Sequence, residues 1–361
     1  MTRGVYLDYN ATAPVLPAAA AAVAEAMRLG GNPSSVHGFG RAARALVEDA
    51  REAVARLVSA RPDQVTFTSG GTEAVALGLH PFRGGTALVS AIEHPCVFEA
   101  LPDAERIPVM ADGVVNLDWL ADRLTRAPRP AVVAVMLANN ETGVIQPIAE
   151  VAALARAAGA VVFCDAVQGA GKIAVNLAAL GVDLLALSAH KMGGPQGVGA
   201  LIARAPDAVQ ALVRGGGQER GRRGGTHNTP GIAGFGAAAA APTLNVGALR
   251  DRMEAALLRV APCATIWGRA APRLPNTICV GLPGVDQQRQ VMALDLAGVA
   301  ISAGSACSSG KLAPSHVLTA MGATPEEARQ AVRISLGWCS TGEDIDRFVE
   351  TWARLVPVPT N

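Results

Sequence analysis

Along the first two thirds of this chain, short β-branched apolar runs alternate with longer helical stretches, and polar residues fall where the runs end. The runs at 65–68, 87–90, 131–137, 161–164, 183–188 and 198–203 read as buried strands. Between them lie helical stretches such as 148–158, which starts after Pro147 and stops at Gly159; 41–58 is a strongly periodic helix with charges on one face. Such alternation predicts an α/β domain with a mostly parallel sheet, whose sites gather at the carboxyl ends of the strands. Those ends carry Thr68-Ser69-Gly70-Gly71-Thr72, Glu93-His94, Asn139-Asn140-Glu141, Asp165-Ala166-Val167-Gln168 and Ser188-Ala189-His190-Lys191. Core packing does not require polar residues at so many exits. After about residue 245 the pattern becomes a helix at 249–260, a strand at 277–280, a Gly/Ser-rich loop at 302–310, two helices and a strand at 332–336. The expected division is a large α/β domain over 15–245 and a smaller α+β domain over 1–14 and 246–361.

Composition narrows the function classes. Half of the 361 residues are apolar but only 4% are aromatic, so the core must be mostly Ala, Val and Leu. A formal net charge of +1 gives no support to a nucleic-acid or membrane-surface role. The N-terminus has no apolar h-region, and the Ala/Gly-rich stretch 231–242 is too short to span a bilayer; a soluble cytoplasmic enzyme is expected. Six scattered cysteines without CxxC spacing suggest no metal site, and at most one reactive thiol.

Lysine is rare: Lys172, Lys191 and Lys311 stand against 28 arginines. Either the chain simply prefers arginine, or an amine is chemically required where lysine is kept, since arginine cannot form a Schiff base. Asp165 follows four apolar residues, so its carboxylate sits at a buried strand end and needs a cation. An arginine would serve, and so would a pyridinium nitrogen. The Gly70-Gly71-Thr72 turn is a structural turn or a phosphate cradle at a helix N-terminus, and His94 is a surface histidine or a proton carrier. The loop Gly215-Gly216-Gly217-Gln218-Glu219-Arg220-Gly221-Arg222-Arg223-Gly224-Gly225-Thr226 is cationic and fits phosphate; an RNA reading lacks stacking aromatics. Cys307 lies among small residues that suit a moving nucleophile. Arg333 reads as an interdomain ion pair or a bidentate holder of a substrate carboxylate.

In combination and order, these motifs resemble the NifS/IscS-type cysteine desulfurases, in the class V aminotransferase group of fold-type I pyridoxal-phosphate enzymes. The resemblance runs from Tyr6-Leu7-Asp8-Tyr9-Asn10-Ala11-Thr12 through Gly31-Asn32-Pro33-Ser34-Ser35 to Ser335-Leu336-Gly337. Its most specific parts are Gly304-Ser305-Ala306-Cys307-Ser308-Ser309 and the run 190–199. The resemblance implies a seven-stranded, mostly parallel sheet and pyridoxal 5'-phosphate held covalently by Lys191. It implies that Asp165 pairs with the ring nitrogen, Gln168 contacts the phenolic oxygen, and His94 stacks on the ring and moves protons. Gly71, Thr72, Ser188 and His190 would bind the phosphate with Thr226 of a second copy, making a homodimer. Asn140 and Arg333, with Asn32, would orient the carboxylate of L-cysteine. Cys307 would take the sulfur as a persulfide and pass it to a protein acceptor such as an iron–sulfur scaffold. Two departures stand out: Gln196 where many relatives have a second lysine, and Arg223-Gly224-Gly225-Thr226 for the commoner Arg-Ser-Gly-Thr. A related pyridoxal-phosphate lyase that does not need Cys307, and a catalytically silent docking partner, are the alternatives.

Overall fold

The computed structural model describes residues 4–126, 128–304 and 314–357. Its strands are β1 (Val5–Tyr6), β2 (Val65–Thr68), β3 (Ala87–Ser90), β4 (Glu105–Ile107), β5 (Val132–Ala134), β6 (Val161–Asp165), β7 (Leu184–Ser188), β8 (Gly199–Ala203), β9 (Thr265–Ile266), β10 (Thr277–Gly281), β11 (Val299–Ala300), β12 (Ser302–Ala303) and β13 (Ala331–Ser335). The main sheet has seven strands in the order β2-β8-β7-β6-β5-β3-β4. All neighbours run parallel except β8, which is antiparallel to both β2 and β7. The expected mostly parallel α/β sheet is therefore present. The apolar run 131–137 outlasts its strand: Val135 and Leu137 still donate to the carbonyls of Phe163 and Asp165.

With few aromatics, packing is close and small-sided. The helix Gly38–Leu57 buries Ala43, Val47, Ala50 and Val54, and the helix Thr229–Ala239 lies against it. A Cβ on Gly236 would sit 2.6 Å from Ala50 Cα, so glycine sets how near the two backbones come. Overpacking of this kind costs about 1–3 kcal/mol. A buried ion pair locks the same region: Arg51 reaches Glu219 at 2.8 and 2.9 Å, and Glu219 also accepts from Phe67 N at 2.8 Å and lies 2.8 Å from His227 Nε2.

A four-stranded antiparallel sheet, β12-β13-β10-β9, forms a second layer. Its core includes Met253, Leu257, Ile278, Val280, Ile334, Phe348 and Trp352, and Val5 and Leu7 join it from the start of the chain. The segment after β1 then crosses to the large sheet's exits, where Ala13 N donates to His190 O and Leu16 N to Gly193 O, both at 2.8 Å. That strap links both cores to the loop that bears Lys191. Among the described residues no helix is long and apolar enough to cross a membrane.

Candidate active site

Adjacent strand exits converge on one cavity. Its lining includes Gly71 and Thr72 from the β2 exit, His94 from β3, Asn140 from β5, Asp165 and Gln168 from β6, and Ser188, His190 and Lys191 from β7. The helix Gly71–Leu79 points its first turn there, and Gly70 ahead of it supplies no side-chain cap. Its leading amides are thus left for an anion. A Cβ on Gly71 would come 2.9 Å from Val167 Cγ2 and 3.4 Å from Ser188 Cβ, so glycine keeps this cradle open.

Asp165 ends β6 in a buried position, with Oδ1 accepting from Val167 N at 2.9 Å. Among the described residues it forms no salt bridge, which leaves the arginine reading of the sequence without support. Burial raises its carboxyl to about 6, although Val167 N and the Lys191 charge pull the other way. Glu93, on the same floor, is buried too; burial and the Asp165 charge push its carboxyl well above the usual range. Its Oε1 takes Met136 N at 2.6 Å, while Oε2 has no partner among the described residues.

His94 caps the short helix Pro95–Ala100, accepting Cys96 N on Nδ1 at 3.2 Å. A neutral ring with Nδ1 so occupied carries its proton on Nε2. Burial, Lys191 and His316 lower its pKa to about 4. His190 is lowered to about 4 by burial and Lys191, and its Nδ1 lies 3.2 Å from Thr12 Oγ1. Both imidazoles are neutral at pH 7. Cys96, which the sequence reading passed over, lies on the cavity wall with Sγ 3.0 Å from His94 Nδ1. Its only sequence signal is a cysteine two residues beyond the capping histidine.

Lys191 sits in a single 3-10 turn directly after β7 and donates to the carbonyls of Asn10 at 2.7 Å and Ala11 at 2.8 Å. The Asn10 oxygen also accepts Gln168 Nε2 at 2.9 Å, and Gln168 Oε1 takes Lys172 Nζ at 2.6 Å. No local pattern announces this network, because Asn10 joins it from the far end of the chain.

The family model described as aminotransferase class-V matches residues 5–348. The chain belongs to that family. Within it, a cysteine desulfurase of Cereibacter sphaeroides is 44% identical over 98% of this chain and 95% of that protein. A protein named cysteine desulfurase IscS from Dictyoglomus turgidum is 38% identical over 99% of this chain and 95% of that protein. The solved NifS-like protein of Rickettsia africae superimposes with a TM-score of 0.91 at 35% identity, covering 98% of this chain and 99% of that one. The resemblance read from the motifs and the fold class it implied are both borne out.

Other residues singled out in this class-V chain are placed as follows. Arg333 is buried on β13, where it pairs with Asp8 at 2.8 Å and donates to Ser302 Oγ and Asn140 O, while its Nε has no partner among the described residues. The ion-pair reading of Arg333 is thus observed, with one donor left over. Asn32 is exposed outside the cavity lining, and its Oδ1 accepts from Ser34 N. Thr226 is exposed and also outside the lining. Cys307 lies outside the described residues. The residues flanking 305–313 are anchored close to the site. Gly304 N donates to Ala331 O, Ser315 Oγ donates to Glu141 Oε2, and His316 Nε2 donates to Glu93 O at 3.0 Å.

Proposed function

We propose that this class-V chain is a pyridoxal 5'-phosphate-dependent cysteine desulfurase, converting L-cysteine to L-alanine and taking the sulfur onto Cys307. The reading is carried by Lys191 and the buried Asp165, which has no arginine partner among the described residues, at the exits of neighbouring strands β7 and β6. The residues fit the cofactor: an open helix N-terminus suits its phosphate, a carboxylate its ring nitrogen, and an amine its aldehyde. When bound, pyridoxal phosphate supplies an electron sink that weakens the bonds around the substrate Cα. Gly71, Thr72, Ser188 and His190 hold the phosphate, and Thr226 of a second copy completes that contact in a homodimer. Residues 15–245 form the cofactor-holding domain, and 1–14 with 246–361 the smaller one that carries Cys307.

Each side chain then has a definite task. Asp165 keeps the ring nitrogen protonated, and Gln168 donates to the ring oxygen. His94 would face the ring, with its Nε2 proton as the exchangeable one. Lys191 would hold the cofactor aldehyde and carry the Cα proton. Asn140 and Arg333, with Asn32, orient the substrate carboxylate. The Cys307 thiolate attacks the substrate sulfur; the Cβ–S bond breaks with its electron pair leaving on carbon, and a proton there completes alanine. The persulfide left on Cys307 passes to an acceptor protein in the cytoplasm, such as an iron–sulfur scaffold. The test is to load the purified protein with pyridoxal phosphate, supply L-cysteine with excess dithiothreitol, which reduces the persulfide and frees its outer sulfur, and assay alanine and sulfide. Equal amounts of both support the reading, and a protein that binds the cofactor yet releases neither refutes it.

A further inference from the structure

Lys172 is the one described lysine without a part in the proposed reaction. It is 4% exposed, and its amine meets two neutral acceptors, Gln168 Oε1 at 2.6 Å and Asn10 Oδ1 at 2.8 Å. No carboxylate among the described residues pairs with it. Burial and the charges of Lys191 and Arg333 push its amine well below the usual range. A buried amine on two amide oxygens is an expensive way to fill space, and its stem already borders an apolar cavity with Tyr9, Leu16 and Trp338.

We infer that Lys172 is a positioning residue: it holds the Gln168 amide with its nitrogen, not its oxygen, toward the cofactor cavity. A carboxamide has two ends of nearly equal shape, so its orientation must be set by its partners. Here both ends are keyed. Lys172 donates to Oε1, while the Asn10 carbonyl can only accept and takes one Nε2 hydrogen at 2.9 Å. The second Nε2 hydrogen remains for the cavity that Gln168 lines. Asn10 is itself fixed, because its Nδ2 donates to Asn140 O and Thr277 Oγ1, and its Oδ1 also accepts from Asn276. Lys172 and Lys191 are therefore linked through one residue, since Lys191 donates to the same Asn10 carbonyl. The site offers its ligand a donor at this point, which selects an anionic oxygen. This inference rests on the pyridoxal-phosphate reading, in which that oxygen is the ring hydroxylate.

A donor on the ring oxygen draws charge from it and disfavours a proton on the nitrogen that joins Lys191 to the cofactor. The experiment is a pH titration of the visible absorption band of the loaded protein, for wild type, Lys172→Met and Lys172→Arg, with thermal melting as a check on folding. In Lys172→Met the titration midpoint should rise by about one pH unit, the effect of losing one hydrogen bond to a charged group. Lys172→Arg, with the apolar cavity for its bulk, should move the midpoint back toward wild type. An unchanged midpoint in Lys172→Met overturns the inference, and so does a Lys172→Arg shift as large as the methionine one. If Lys172→Met does not fold, Gln168→Met must raise the midpoint by a similar amount, or the inference fails. A wild type that gives no visible band with pyridoxal phosphate removes the cofactor reading and this inference together.

Discussion

Lys191 Nζ donates at 2.7 Å to the carbonyl oxygen of Asn10, a residue 181 positions earlier in the chain. The bond makes the N-terminal strap part of the site. Asn10 also binds Ser335 Oγ through its backbone N, Asn140 O and Thr277 Oγ1 through Nδ2, and Lys172 through Oδ1. The lysine is thus aimed by a residue that joins β10 and β13 of the smaller sheet to loops leaving the larger one.

Asp165 gives cofactor binding a pH dependence. Without the cofactor its carboxyl is raised by burial to about 6, so it is largely protonated below that pH and cannot pair with a ring cation. The dissociation constant for pyridoxal phosphate should rise about tenfold per pH unit below 6 and be flat above, as one linked proton requires. Asp165→Asn should flatten that profile and lower turnover at least a hundredfold. Binding titrations by absorbance across pH decide it.

Gly71 predicts a selective defect. A methyl group there meets Val167 Cγ2 at 2.9 Å in the phosphate cradle, whereas alanine suits a helix start better than glycine. Gly71→Ala should weaken cofactor binding tenfold or more while the melting temperature of the cofactor-free protein moves only a few degrees.

Glu141 predicts a pH-dependent stability. Burial raises its carboxyl to about 7 from 4.5, against the opposing Ser315 hydrogen bond and Arg333 charge. A raised folded-state pKa means full stability below 4.5 and loss as pH climbs through 7, amounting to about 3 kcal/mol. Glu141→Gln keeps an acceptor for Ser315 and should remove most of that slope between about pH 4.5 and 7 in denaturant titrations.

Glu219 anchors the arginine-rich loop. Burial opposes its charge, yet hydrogen bonds from Arg51 and His227 hold its carboxyl down at about 2. Glu219→Ala leaves the buried Arg51 with only the half-exposed Glu48 at 3.1 Å and the Val65 carbonyl, and should lower unfolding stability by about 3 kcal/mol. The pair's contribution in the wild type should fade as pH drops from 4.5 through 2.

The sequence made the site's floor legible because apolar strands that end in polar residues leave a local signature. Asp165, Gln168, Ser188, His190 and Lys191 all lie on or just after such strands, and the cavity unites them. What stayed hidden is non-local. Asn10 finds partners as far as 325 positions away, which no window of sequence displays. The edge strand β4 exposes two of its three residues and has no apolar run to announce it. The helix Thr229–Ala239 is built of small residues whose value lies in the close approach at Gly236, and periodicity alone does not reveal that.

The fate of the substrate sulfur decides most directly whether Cys307 is the acceptor. Wild type and Cys307→Ala, both loaded with pyridoxal phosphate, are given L-cysteine, and alanine and protein-bound sulfane sulfur are quantified together. Alanine with persulfide on Cys307 is expected in the wild type, and neither product in the variant, whose visible band is retained. Alanine formation by Cys307→Ala at the wild-type rate would contradict that role.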